Sequence, residues 1–256
     1  MHNVLPLAWL RFRILLALLA VAVSAASVQA AETHVAVAAN FTEAAKEIGA
    51  AFATATGHKA LFSFGSTGQF YNQISQAAPF EVFLAADQAT PKKAVDAGFA
   101  VADSRFVYAT GKIVLFSKDK ALVKGAETLK SGRFAKIAIA NPATAPYGAA
   151  AVAAMKALGV YDTLGDKIVQ GNNIAQVYGF VETGNAEIGF VALSQVANSD
   201  EGSRWVVPDD LYPTIAQDAV LLKTGADNPA ARAFLAFLKG REARAIKEKY
   251  GYGAGE

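Results

Sequence analysis

The chain has 256 residues, 53% of them apolar, with 24 Lys+Arg against 22 Asp+Glu and no cysteine. That balance lacks the basic surplus of a nucleic-acid binder and the basic patch of a membrane-surface protein. The missing cysteines exclude disulfides, cysteine-type zinc sites, thiol nucleophiles and an N-terminal lipidated cysteine.

Residues 1–30 read as a targeting segment. Arg11 and Arg13 precede an apolar run, Ile14 to Val23, and small residues then lead to Val28-Gln29-Ala30, a cleavage-like signature. The run is shorter than the roughly 20 residues of a membrane span. Export to the periplasm with residues 1–30 removed is therefore expected. The loss of two arginines brings the charges into balance, and the remainder is long enough for two lobes.

His34 to Ala38 reads as a strand and Phe41 to Thr54 as an amphipathic helix, with Phe41, Ala44, Ala45, Ile48 and Phe52 on one face. Lys59 to Phe64 is the next strand, followed by a helix from about Gln69 to Gln76. Glu81 to Ala85 is a third strand, and Pro91 opens another helix. The alternation of strand and helix argues for a parallel sheet with covering helices. A second cycle has strands at Lys112–Ser117, Lys136–Ala140, Lys167–Gln170 and Glu187–Ala192, with helices at Gly148–Leu158 and Ile174–Glu182. Ala216 to Lys223 is a later strand, and a helix pair fits Pro229 to Lys249. No Pro/Ser-rich linker separates the cycles, so crossing strands at Tyr108–Ser117 and Pro213–Lys223 are expected to join them. The expected organisation is a signal peptide over residues 1–30, lobe 1 over 31–110 plus 216–256, and lobe 2 over 111–215.

Four strand-to-helix junctions share one composition: Ala39-Asn40-Phe41-Thr42-Glu43, Gly65-Ser66-Thr67-Gly68-Gln69, Asn141 to Gly148, and Asn172-Asn173-Ile174-Ala175-Gln176. Asn40 with Glu43, Ser66 with Gln69 and Asn173 with Gln176 have capping-box spacing. In a parallel α/β sheet such junctions lie at the carboxyl ends of the strands, where ligands bind. Helix N-termini offer partial positive charge and unpaired N–H donors, which suits an anion. None of the four segments contains Lys or Arg, as a site built from dipoles and neutral donors would have it. Asn and Ser are also ordinary caps, so a purely capping role is the alternative for any one junction. Asp87 ends a strand and reads as a cap of the following helix or a group that steadies the lobe interface, with a place in a site as the alternative. His34 and His58 read as solvated residues, one opening a strand and one in a turn. No nucleophile elbow, H-E-x-x-H motif or P-loop lysine is present, so no catalytic residue and no metal-ion ligand is expected.

The stretches VAVAANFTEAAKEI, SFGSTGQFYNQI, APFEVFLAADQATP, SRFVYATGKIVLFS, IAIANPATAPYGAAA and EIGFVALSQV resemble the periplasmic molybdate-binding family of type II solute-binding proteins. The resemblance implies two α/β lobes with central mixed sheets, joined by crossing hinge strands and closing on a dianion. It implies molybdate or tungstate as ligand, no cofactor, an ABC-transporter permease as partner and a monomeric, non-enzymatic protein. It further implies side-chain donors at Asn40, Thr67 and Ser66, and backbone donors at Ala39, Tyr147 and Ile174. Some members bind the anion with a tyrosine where this chain has Ala192. The alternatives are a binding protein for sulfate or an organic acid, and an envelope hydrolase.

Overall fold

The computed structural model describes residues 30–254, so the targeting segment read in the sequence lies outside it apart from Ala30. The chain runs β1 (Glu32–Ala38), α1 (Thr42–Thr56), β2 (Lys59–Gly65), α2 (Thr67–Ser75), β3 (Val82–Leu84), α3 (Ala89–Asp96) and β4 (Phe106–Gly111). It continues through β5 (Ile113–Ser117), α4 (Ala126–Ser131), β6 (Ile137–Ala140), α5 (Pro146–Ala157), β7 (Ile168–Gly171), α6 (Ile174–Glu182), β8 (Ile188–Ala192), α7 (Leu193–Val196) and β9 (Ser203–Val206). It ends with β10 (Ile215–Leu221), α8 (Pro229–Leu238), α9 (Arg241–Lys249) and β11 (Gly253–Ala254).

Two mixed sheets result, in two lobes. The first has the order β11-β4-β10-β3-β1-β2 and the second β7-β6-β8-β5-β9. In the first, β1 is parallel to β2 and β3, while β10 runs antiparallel to β3 and β4. In the second, β6 is parallel to β7 and β8, and β5 runs antiparallel to β8 and β9. The parallel pairing expected from the strand–helix alternation holds among β1, β2 and β3 and among β6, β7 and β8, and the sheets are mixed as the resemblance implies. The crossing strands return in the opposite sense and make each sheet mixed.

Only Lys112 separates β4 in the first sheet from β5 in the second. Residues 207–214 carry the chain back from β9 to β10, and Gly111 pairs with Ile215 where the two crossings meet. The central strands β1 and β3 of the first sheet are buried on both faces, whereas the edge strand β2 is largely exposed. Val35 and Val37 of β1 pack with Phe41, Ile48 and Phe52 and with Phe234 and Leu238 of α8. Ala36, one residue out of phase, packs with Phe70 and Ile74 of α2 on the other face. Period-two alternation between two apolar layers explains why the strands read as continuous apolar runs rather than as alternating ones. Each buried phenylalanine contributes about 1.5–3 kcal/mol through area removed from water.

His58 is buried, with 6% exposure, and its Nδ1 accepts from the Ala31 N–H at 3.1 Å, which corrects its expected place in solvent. Among the described residues, no helix is long and apolar enough to cross a membrane.

Candidate functional site

The four junctions meet. A cavity of about 10 Å³ lies among Asn40, Ser66, Thr67, Tyr147, Asn173 and Ile174, with small walls from Ala39, Ala86 and Pro146. No Lys, Arg, Asp or Glu lines it. All six residues expected at the site are on its wall and buried: Ala39, Asn40, Ser66, Thr67, Tyr147 and Ile174.

The local sequence explains each donor. Ser66 is the N-cap of α2, its Oγ accepting from the Gln69 N–H while the Gln69 side chain reaches back to the Ser66 N–H. That capping box leaves the first N–H groups of α2 without an intrahelical acceptor. Thr67 opens α2, and its Oγ1 accepts from the Ala86 N–H at 2.9 Å, so its hydroxyl hydrogen is left to donate elsewhere. Pro146 occupies the start of α5, where the absent N–H loses nothing, and the Tyr147 N–H follows it in the first turn. Ile174 starts α6 behind Asn173, whose Oδ1 accepts from the Gln176 N–H at 3.0 Å. The Gln176 side chain accepts from the Asn172 N–H and not from Asn173, so this junction carries half of a capping box. Among the described residues, the N–H groups of Thr67, Tyr147 and Ile174 have no acceptor.

The first junction differs from its sequence reading. Residues Ala39–Phe41 form a 3₁₀ turn and α1 begins only at Thr42, so Asn40 and Glu43 form no capping box. The Thr42 hydroxyl instead donates to the Ala39 carbonyl. The Asn40 side chain turns inward, its amide 2.8 Å from Gln217 Oε1, 3.1 Å from the Tyr252 hydroxyl and 3.3 Å from the Tyr147 hydroxyl. The Asn40 backbone carbonyl accepts from the hydroxyls of Tyr252 and Ser194 at 2.6 and 2.7 Å. Burial pushes the Tyr108, Tyr147 and Tyr252 hydroxyls well above the ordinary phenol range, so all three are neutral donors. Gln217, Tyr108 and Tyr252 are functional neighbours that the sequence reading missed. The available signal was Gln217-Asp218 in the middle of the apolar strand IAQDAVL, because a fully buried amide requires partners.

Ala192 is fully buried where β8 pairs with Ile113, and no tyrosine side chain enters from that strand end. Ser194, two residues on, reaches Asn40 instead. Contacts from both sheets' elements close over the cavity. The Gly68 N–H donates to the Thr144 carbonyl at 2.9 Å, and Ser194 bridges to Asn40.

A larger groove of about 440 Å³ lies alongside, with Asp87, Gln88, Thr90, Thr144 and Thr214 on its rim. It is the poorer place for an anion, because it presents a carboxylate. Asp87 caps α3 as expected, accepting from the Thr90 N–H at 2.7 Å and from the Thr90 hydroxyl. Burial raises its pKa, and the Thr90 hydrogen bonds oppose the rise. Among the described residues, no cluster of three or more His, Asp or Glu could hold a metal ion.

Residues 33–253 match the family of bacterial extracellular solute-binding proteins. The molybdate-binding protein ModA of Rhodobacter capsulatus is 57% identical over 87% of this chain and 88% of that protein. That of Azotobacter vinelandii is 54% identical over 90% and 92%. The solved periplasmic molybdate-binding protein of Azotobacter vinelandii superposes with a TM-score of 0.85 at 38% identity, over 88% of this chain and all of that one.

Proposed function

The chain belongs to the bacterial extracellular solute-binding proteins, within them to the molybdate-binding group, and from that premise we propose how it works. It is the molybdate-capturing component of an ABC importer. The observation that carries this reading is the charge-free cavity where the Thr67, Tyr147 and Ile174 N–H groups lack partners beside the Ser66 and Thr67 hydroxyls.

A tetrahedral dianion is held there by Ser66, Thr67 and Asn40 side chains and by N–H groups of Ala39, Tyr147 and Ile174. Converging helix N-termini supply the compensating positive potential. Selectivity follows from donor geometry. Phosphate at neutral pH carries a proton, and a cavity lined by donors offers that O–H no carboxylate acceptor. Sulfate is smaller, and a rigid cage stretches its hydrogen bonds. Tungstate, close to molybdate in size and charge, binds as well.

The lobes span 31–110 plus 216–256 and 111–215, with Gly111 and Ile215 at the hinge. They close on the anion by rotation about the crossing strands. The protein works in the periplasm as a monomer, delivers the anion to a membrane permease, and has no catalytic role. Calorimetry of the 31–256 chain with molybdate, tungstate, sulfate and phosphate at pH 7 tests this reading. One-to-one binding of the first two, with sulfate and phosphate silent, is expected. Phosphate binding comparable to molybdate contradicts it.

A further inference from the structure

Asn40 is the one side-chain amide on the cavity wall that also belongs to a buried polar network, and its orientation decides what it offers an anion. A carboxamide presents a donor or an acceptor depending on a half-turn about its last bond, with almost no movement of heavy atoms. With Asn40 Nδ2 directed at Gln217, its two hydrogens face three oxygens inside the protein, those of Gln217, Tyr252 and Tyr147. Oδ1, which accepts from no group among the described residues, is then the atom left for the cavity. A carbonyl lone pair there repels an oxyanion. The Tyr147 hydroxyl receives N–H groups from both Asn40 and Gln217 in that arrangement, and its own hydrogen has no acceptor.

The Ala85 carbonyl resolves the network, because it can only accept. It lies 3.1 Å from the Tyr108 hydroxyl, which is also 3.1 Å from the Gln217 amide. Tyr108 has one hydrogen. When it goes to Ala85, the Tyr108 oxygen must accept from Gln217, which turns the Gln217 NH₂ toward both Tyr108 and Asn40. Asn40 must then offer Oδ1 to Gln217, and Nδ2 turns to the cavity. The Tyr147 hydroxyl, 3.2 Å from the other Gln217 amide atom, donates to the Gln217 oxygen. Tyr252 shares its hydrogen between the two Asn40 oxygens. Every buried hydrogen of Gln217, Tyr108, Tyr147 and Tyr252 then has an acceptor, and only the Asn40 Nδ2 hydrogens are left for the bound anion.

We propose that Gln217, fixed by Tyr108 and by the Tyr147 hydroxyl, is a positioning residue that turns the Asn40 Nδ2 into the cavity as a donor to the bound oxyanion. This rests on the oxyanion-binding reading above. A second observation supports it. A Cβ at Gly111 would lie 1.9 Å from the Tyr147 hydroxyl and 2.6 Å from the Gln217 amide nitrogen position, so the hinge strand leaves room for these two polar groups. Gln217 sits on β10, one of the strands joining the lobes, and Tyr147 also brings its backbone N–H to the cavity. Hinge strand, anion donor and amide orientation are therefore tied together at one residue pair.

The test has two arms. In ¹⁵N-labelled full-length mature chain, the Asn40 side-chain NH₂ signals, assigned by their loss in Asn40→Ser, should move and gain exchange protection on adding molybdate. Gln217→Met, which removes the orienting group without adding charge, should weaken molybdate binding about 10-fold, and Gln217→Glu, which only accepts when ionised, by about 100-fold. In Gln217→Glu the Asn40 NH₂ signals should no longer respond to the anion. Wild-type protein that binds molybdate with unmoved Asn40 NH₂ signals overturns the inference and leaves the functional reading intact. So do folded Gln217 variants with affinity within about twofold of wild type. Wild-type protein that binds no molybdate overturns both. If the variants do not fold, the wild-type spectra alone decide.

Discussion

Replacing Thr67 by valine separates two duties of one hydroxyl. Thr67 is 1% exposed and nearly isosteric with valine, so the change opens no cavity of consequence. It removes the acceptor of the buried Ala86 N–H, at 2.9 Å, and the hydroxyl hydrogen left free at the cavity wall to donate to the anion. An orphaned buried N–H costs about 1–3 kcal/mol of stability. A lost hydrogen bond to a charged ligand costs about 1.5–3 kcal/mol, which is roughly a 10- to 150-fold rise in Kd. Thermal melts without anion report the first effect and calorimetry with molybdate the second. Thr67→Ser keeps both bonds and should stay near wild type in both assays. A folded Thr67→Val protein with wild-type affinity would refute the assignment of Thr67 as a donor, whatever its melting temperature.

Three further outcomes follow from the same geometry. Gly68→Val should hold the lobes apart, because even a Cβ at that position lies 3.1 Å from the Thr144 Cα, and backbone cannot give as a side-chain tip can. Small-angle scattering should then show no compaction on adding molybdate, and a wild-type decrease in radius of gyration would contradict this. Lys247 donates to the carbonyls of Tyr108 and Leu238 with no carboxylate bonded to it, and burial lowers its pKa to about 8. Between pH 8 and 10.5 the unfolded chain therefore holds more protons than the folded one, so stability attributable to this lysine rises with pH, by at most about 3 kcal/mol. Lys247→Met should flatten denaturation midpoints across that window, and an unchanged pH profile would contradict the assignment. Asp218 is buried and paired with Arg105, whose side chain is 36% exposed. Arg105→Met should destabilise by about 2–3 kcal/mol in urea melts, toward the lower end for a broken buried pair because solvent reaches the arginine. A loss below about 0.5 kcal/mol would mean that Gln88 alone satisfies the carboxylate.

Much of this fold is legible locally. The runs around Val35, Phe83 and Phe190 are apolar because both faces of each strand are covered, cap residues mark where α2 and α6 begin, and Pro146 marks the start of α5. Short elements escape such reading. The four-residue strand β9 and the two-residue β11 are defined by partners far along the chain rather than by their own pattern. The junction at Asn40 shows the limit most sharply. Spacing to Glu43 suggests a cap, yet the side chain is claimed by Gln217 and Tyr252, 177 and 212 residues away. Local propensity cannot register a buried network assembled from both ends of the chain. The convergence of the four junctions is legible only in part: their composition announces donors, whereas the closed contacts Gly68–Thr144 and Ser194–Asn40 depend on how the lobes meet.

The most direct test of the donor-only site is a crystal structure of the protein grown with tungstate, the heavy anion being located by its anomalous signal. The account predicts one peak between the starts of α2, α5 and α6, with oxygens within about 2.7–3.2 Å of the Thr67, Tyr147 and Ile174 nitrogens and of the Asn40 amide. A peak in the neighbouring groove beside Asp87, or one held by a lysine or arginine, would contradict it.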